Sequence, residues 1–344
     1  MDEGLNLWLI GSALAIGLAF GALLQRSRLC LVSAVSNLAI IRDSRQLQGF
    51  LALWVVAILG TLALESGGWV AVGESAYRGA RLDWLTVSLG GSLFGFGSLL
   101  AGGCAGRTVV RAAEGHLGAL ITLVGFAFAA TATLYGVLEP ARIWLLEHTA
   151  VDLLSGDGGL GAVLGLPPWV PALVLSGACL AFLGFLPSGR NLILPGALLG
   201  LLIVAGWWAT GYLAYDEWNP HPPNSVGIAG PLARGTVLLT SPVNLALDFG
   251  VPLIVAILTG AFLSALIGRQ FHWVPPQPAH VGSHIVGGVL MGVGAILAGG
   301  CNVGNGMTGV SALSCRSFLA LATIVLGMLA GLLWLHRREG LRHA

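Results

Sequence analysis

The sequence predicts an all-α, polytopic membrane fold assembled from two inverted repeats, and three observations carry that prediction. The first is composition: of 344 residues, 56% are hydrophobic and only 9% charged, with a mean hydropathy of +0.87. A soluble domain carries roughly 25% charged residues, so an ordinary soluble enzyme is excluded. The second is that apolar runs long enough to cross a hydrocarbon core of about 30 Å recur along the chain. The third is a duplication. Gly90 to Cys104 reads GGSLFGFGSLLAGGC, Gly287 to Cys301 reads GGVLMGVGAILAGGC, and ten of the fifteen aligned positions are identical. Two related units, each delivering a cysteine into a Gly-Gly turn, are expected.

Nine apolar runs read as helices, at 7–24, 47–65, 84–103, 117–138, 169–186, 193–213, 251–268, 283–300 and 316–335. The first is preceded by Met1-Asp2-Glu3 and followed by Gln25-Arg26-Ser27-Arg28. It lacks the basic flank and small-residue cleavage site of a signal peptide, so it is expected to stay in the membrane. The third and eighth runs hold the duplicated segments. Polar or Pro-rich connectors separate the runs, the longest being Glu139 to Pro168 and Tyr215 to Gly250. The second of these contains Asn219-Pro220-His221-Pro222-Pro223-Asn224, which cannot continue a helix. The whole chain, 1–344, reads as one membrane domain, with 1–150 as the first repeat and 169–344 as the second.

Arginine placement predicts the orientation, because cytoplasmic loops retain basic residues. Arg26, Arg28, Arg42 and Arg45 crowd the first connector, and Arg337, Arg338 and Arg342 the tail. With nine crossings both are cytoplasmic if the N-terminus lies outside, and Arg107, Arg111, Arg190 and Arg269 then lie inside too. Arg78, Arg81, Arg142, Arg234 and Arg316 go against the rule. Five crossings separate Cys104 from Cys301, and an odd number inverts the second unit. The two tips then point toward the midplane from opposite faces.

Two adjacent glycines followed by Cys and a polar stretch suit a helix that stops partway through the bilayer, a re-entrant or broken hairpin. Five cysteines form no CxxC pair, and zinc-type spacing is absent. Cys104 and Cys301 stand out by their duplicated context, and Cys30, on spacing alone, stands evenly between a functional thiol and a small core hydrophobe. Cys179 and Cys315 have no Gly-Gly neighbour and read as small core hydrophobes. Arg107, Arg111 and Glu114 follow the first tip as a loop or an anion guide. Asn302 and Asn305 follow the second, as oxyanion donors or helix caps. His116 and His284 read as helix-end residues, and no His-rich cluster supports a metal site. No nucleotide-binding motif is found and no cofactor is expected. A net charge of +1 gives no reason to expect a nucleic-acid partner.

At Arg26-Ser27-Arg28-Leu29-Cys30, Leu100-Ala101-Gly102-Gly103-Cys104 with Arg111-Ala112-Ala113-Glu114-Gly115, and Leu297-Ala298-Gly299-Gly300-Cys301 with Gly306 and Gly309, the chain resembles the YeeE/YedE family of sulfur-compound transport proteins. The resemblance implies an hourglass of inverted repeats in the cell inner membrane, with functional cysteines at Cys30, Cys104 and Cys301. It also implies a small cytosolic sulfur carrier of the TusA type as partner. The stretch Ala105-Gly106-Arg107-Thr108-Val109-Val110-Arg111 departs from the family's thiosulfate importers, and part of the family is associated with selenium metabolism.

Three thiols in series suit a reduced sulfur anion such as thiosulfate, since S–H is a weak donor and a terminal sulfur a large, polarizable acceptor. Weak contacts hold the ion without trapping it. The amides of Gly102, Gly103, Gly299 and Gly300 are expected to complete the cradle. The alternatives are a selenium compound on the same path, a membrane enzyme passing sulfur through a cysteine persulfide, and soft-metal transport. For the enzyme the sequence shows neither a Cys-His pair nor a second nearby thiol.

Overall fold

The computed structural model describes residues 7–153, 156–186, 190–215, 221–240 and 248–342. Met1 to Glu3, Asn219 and Pro220, on which expectations above rest, lie outside the described residues. Helices α1 (Leu7–Ser27), α2 (Leu31–Ile40), α3 (Arg45–Ser66), α4 (Trp84–Leu100), α5 (Ala105–Ala113) and α6 (Leu117–Leu134) come first. Then follow α7 (Glu139–Thr149), α8 (Leu160–Leu164), α9 (Trp169–Phe185), α10 (Ile193–Trp208) and α11 (Ala229–Thr240). The chain closes with α12 (Gly250–Ile267), α13 (Pro278–Leu297) and α14 (Cys315–Arg342). Strands β1 (Arg81–Leu82) and β2 (Val151–Asp152) form one short antiparallel ladder.

The all-α polytopic reading holds: among the described residues, eight helical segments are long and apolar enough to cross a membrane. The seventeen-residue Trp169–Phe185, read from sequence as a ninth crossing, is apolar but shorter than these. The connectors hold more structure than their composition implied. The first contains α2, the Glu139 to Pro168 stretch contains α7 and α8, and the Tyr215 to Gly250 stretch contains α11. Each is short, and helices of that length depend on tertiary packing.

The duplicated glycines are where helices touch. A Cβ on Gly90 of α4 would lie 2.7 Å from the Gly294 carbonyl oxygen of α13, and one on Gly287 would lie 2.9 Å from the Gly97 carbonyl oxygen of α4. The contacts are reciprocal: 90 meets 294 as 287 meets 97. The same exchange continues outward. Gly95 sits on the Ile324 carbonyl of α14, and Gly292 on the Phe126 carbonyl of α6, where a Cβ would be 2.5 Å away. A second reciprocal set packs α1 on α12 through Gly17 and Gly21, and α10 on α3 through Gly196 and Gly200. Small residues of this kind let apolar helices approach where water supplies no driving force.

Two polar layers bound this packing. On one, Gln25 Nε2 donates to Glu114 Oε1 at 3.0 Å and Gln270 Oε1 at 2.6 Å, and the Leu117 amide donates to the Val274 carbonyl at 3.0 Å. On the other, the Cys315 amide donates to the Gly158 carbonyl at 3.0 Å and the Leu160 amide to the Leu313 carbonyl at 2.8 Å. The five arginines that oppose the orientation rule are all ion-paired. Arg78 meets Glu65 and, at 3.6 Å, Asp157; Arg81 meets Asp152 at 2.8 Å; Arg142 meets Glu139 at 3.9 Å; Arg316 meets Asp83 at 3.5 Å; Arg234 meets Asp248. Local carboxylates therefore account for where these five stand.

Candidate functional site

The first tip forms because α4 cannot continue past Leu100. Gly102 takes φ +73°, a conformation costly for any residue with a Cβ. The Gly102 amide donates to Leu99 and the Gly103 amide to Ser98, closing the helix end in a Schellman pattern. Cys104 follows in extended conformation as the N-cap of α5. Independently, α1 ends where Arg28 turns left-handed at φ +53°, and Cys30 becomes the extended N-cap of α2. The two caps meet: Cys30 Sγ and Cys104 Sγ lie 3.4 Å apart, and both residues are buried. Around the Cys30 sulfur stand the amides of Ser33 and Cys104, and around the Cys104 sulfur those of Arg107 and Leu31. Helix N-termini carry unpaired N–H groups and positive dipole ends, so two converging ones make a place for an anion.

The second tip repeats the turn. Gly299 also takes φ +73°, and the amides of Gly299 and Gly300 donate to Ile296 and Ala295. Cys301 opens a helical turn that continues as a π-turn at Gly304–Gly309. Its buried sulfur faces the amides of Val303 and Gly304, and those of Ile228 and Ala229 at the start of α11. Two N-termini again converge, but Ile228 stands here where Cys30 stands at the first tip. The fold sets Ile228 opposite Cys30, because α11, which lies within a connector, is the element that answers α2.

The tips meet across an apolar seam. A Cβ on Gly106 would lie 3.1 Å from Leu24 Cδ2, 3.5 Å from Val303 Cγ2 and 4.0 Å from Ile228 Cδ1. Outside the first tip, Arg111 Nη1 donates to the Gly102 carbonyl at 3.3 Å and the Arg107 stem lies against Gly103. Outside the second, the Arg316 guanidinium lies over Gly299. Arg316 also lines a cavity of about 430 Å³ with Arg81, Asp83 and Glu147.

The amides of Gly102, Gly103, Gly299 and Gly300 donate to carbonyls of the helices they end. The amides facing the thiols belong to the residues after each cysteine and to the neighbouring helix start. A second thiol does stand near Cys104, because the fold, not local spacing, brings Cys30 to it. Cys179 and Cys315 are half-buried on other elements.

Several supporting residues gave little sequence signal. Gln46 Oε1 accepts from the Cys30 amide at 3.1 Å. Trp54 Nε1 donates to the Gly306 carbonyl at 2.6 Å, and Trp207 Nε1 to Ser311 Oγ at 3.0 Å, bracing the Cys301 turn. An indole N–H in an apolar helix needs such a partner, and that is the signal that could have found them. Tyr77 sits beside Gly304 in the connector ahead of α4. Burial, and then the nearness of Cys301, push its phenol pKa up and keep it protonated.

The chain matches the profile of the family described as Sulphur transport over residues 26–330. It is 31% identical to a thiosulfate transporter, TsuA, of Spirochaeta thermophila, an alignment that takes in 93% of this chain and 97% of that protein. It is 28% identical to the TsuA of Escherichia coli, with 93% of each chain covered. A probable transporter, YedE, of Salmonella typhimurium is 28% identical over 45% of this chain and 37% of its own length. A polytopic helical chain with paired Gly-Gly-Cys turns, matched across nearly its whole length, thus belongs to the sulphur-transport family of membrane proteins.

Proposed function

We propose that this protein carries thiosulfate, or a closely related reduced sulfur anion, across the cell inner membrane past Cys301 and then past Cys104 and Cys30. The observation that carries the reading is the convergence of helix N-termini on buried thiols, with Cys30 and Cys104 Sγ at 3.4 Å. The names of the two full-length relatives point to the same substrate. At each tip the fixed amides and dipole ends offset the desolvation of an anion. The thiols offer a soft, weak contact to its terminal sulfur, tight enough to admit the ion and loose enough to release it. Between the tips the Leu24, Val303 and Ile228 seam restricts passage.

In this account the chain is two inverted units. Reciprocal packing supports it, with α10, not α9, opening the second unit and α7 to α9 lying between. The N-terminus is outside and the C-terminus cytoplasmic, so the Arg107 and Arg111 end is the exit. Carrying a dianion inward against about 100 mV costs roughly 4.6 kcal/mol, twice the 2.3 per charge. Removal of sulfur inside, by a TusA-type carrier, would keep the gradient favourable. A second reading, sulfur passed as a persulfide, gains from the Cys30 and Cys104 pair, since a neighbouring thiol can take up a persulfide sulfur.

Uptake of labelled thiosulfate by liposomes holding only the purified chain tests the proposal. Uptake without added protein is expected, with no persulfide left on the chain. A persulfide on Cys30 or Cys104 without net uptake would favour the second reading. Absence of both uptake and persulfide would overturn both readings.

A further inference from the structure

Asn302 is the residue immediately after Cys301, and it is 1% exposed. Neither its Nδ2 nor its Oδ1 meets a hydrogen-bond partner. Other polar side chains of this turn are satisfied. Asn305 Nδ2 donates to the Ala298 and Gly300 carbonyls at 3.1 and 2.8 Å, and Asn305 Oδ1 accepts from Ser317 Oγ at 3.1 Å. Thr308 Oγ1 donates to the Val226 carbonyl at 2.6 Å, and Ser311 Oγ to the Thr308 carbonyl at 2.7 Å. A buried carboxamide with both ends unpaired is a standing desolvation cost, and such groups call for a partner.

The two tips differ in a complementary way. The first has two thiols, Cys30 and Cys104, and its residue after the cysteine is the apolar Ala105. The second has one thiol, with Ile228 in place of the other, and a carboxamide where the first has Ala105. The second tip thus pairs its single thiol with a carboxamide on the next residue, where the first tip has a methyl group. A ligand that satisfies the second tip has a soft sulfur and oxygens on the same small anion.

We propose that Asn302 is the specificity-determining ligand for the oxygens of that anion, donating from Nδ2 to a sulfonate oxygen while the Cys301 thiol meets the terminal sulfur. The inference rests on the transport reading above and narrows it. The second tip accepts sulfur oxyanions that keep a terminal sulfur, and holds hydrosulfide, which has no oxygen, by the thiol alone. A site built around a buried polar group discriminates by leaving that group unpaired when the wrong ligand binds.

The test is concentration-dependent uptake of labelled thiosulfate in cells lacking their own importers, with the full chain, Asn302→Ala and Asn302→Asp at matched membrane abundance. Asn302→Ala installs the residue the other tip carries at this position, so the fold is expected to hold, as a detergent melting curve will show. The half-saturation concentration is expected to rise about ten-fold or more in Asn302→Ala. It is expected to rise further in Asn302→Asp, because a carboxylate has no donor and repels an anion. Inhibition of the remaining uptake by hydrosulfide is expected to be unchanged. Half-saturation within about two-fold of the intact chain in either variant, or equal weakening of hydrosulfide inhibition, would overturn the role of Asn302. Absence of thiosulfate uptake by the intact chain would instead overturn the transport reading on which it rests.

Discussion

Cys30 Sγ and Cys104 Sγ lie 3.4 Å apart, although 74 residues separate them in the chain. Each is the N-cap of a short helix, and the fold brings the two caps together. The thiols are thus presented by the part of a helix that carries free amides. The proposed passage of an anion past them rests on that placement more than on the thiols alone.

Cys104→Ala is expected to lower labelled-thiosulfate uptake about ten-fold or more, a loss of roughly 1.4 kcal/mol of interaction with the moving ion. Cys104→Ser, a harder hydroxyl of similar size, should recover only part of it. Cys179→Ala, on α9 and half-buried, should leave uptake within about two-fold. Equal uptake by all variants at matched abundance would remove the first tip from the mechanism.

The sulfur pair also predicts a redox response. Treating membranes with diamide should join Cys30 to Cys104, the two thiols giving their hydrogens to diamide as it becomes the hydrazine. Mass spectrometry of an unreduced digest should find the two peptides linked. Uptake should fall and return with dithiothreitol, while the lower residual uptake of Cys30→Ala should resist diamide. A linkage from Cys104 to Cys301 instead would contradict the separation of the tips by the apolar seam.

Helix contact through glycine sets the third expectation. A Cβ at Gly95 would overlap the Ile324 carbonyl, backbone that cannot turn away, whereas one at Gly11 meets nothing within 4 Å. Gly95→Ala should cost about 3 kcal/mol, the upper range for overpacking. Gly11→Ala should be neutral or slightly stabilising, because alanine favours the helix. Unfolding of the two variants in detergent, followed by tryptophan fluorescence, compares them directly.

Ion pairs on the connector side should differ by burial. The Arg78 side chain is 1% exposed between Glu65 and Asp157, whereas Arg81 and Asp152 are 68% and 78% exposed. Arg78→Ala should destabilise by about 3 kcal/mol, the low end for breaking a buried pair. Arg81→Ala should leave stability essentially unchanged, because solvent screens an exposed pair. The same detergent unfolding measurement distinguishes them.

The long apolar helices were legible because a membrane demands about twenty apolar residues per crossing, and the turns at Gly102 and Gly299 because glycine alone takes that backbone readily. The short helices α2, α5 and α11 were not legible. Their sequences are too brief or too polar for hydropathy to mark, and tertiary packing holds them. They are also the helices whose N-termini face the thiols, so the sequence singles out the cysteines without showing what surrounds them. The glycine amides stand next to Cys104 and Cys301 in sequence, and only the fold shows that they donate to their own helix ends. The Cys30 to Cys104 contact joins segments distant in the chain, and no spacing rule reaches that far.

The most direct measurement is labelled-thiosulfate uptake into cells lacking their own importers, comparing the intact chain with Cys301→Ala at equal membrane abundance. Clear uptake by the intact chain and a loss of about ten-fold or more in the variant are expected. Uptake by the variant equal to that of the intact chain would contradict a path that passes the Cys301 thiol.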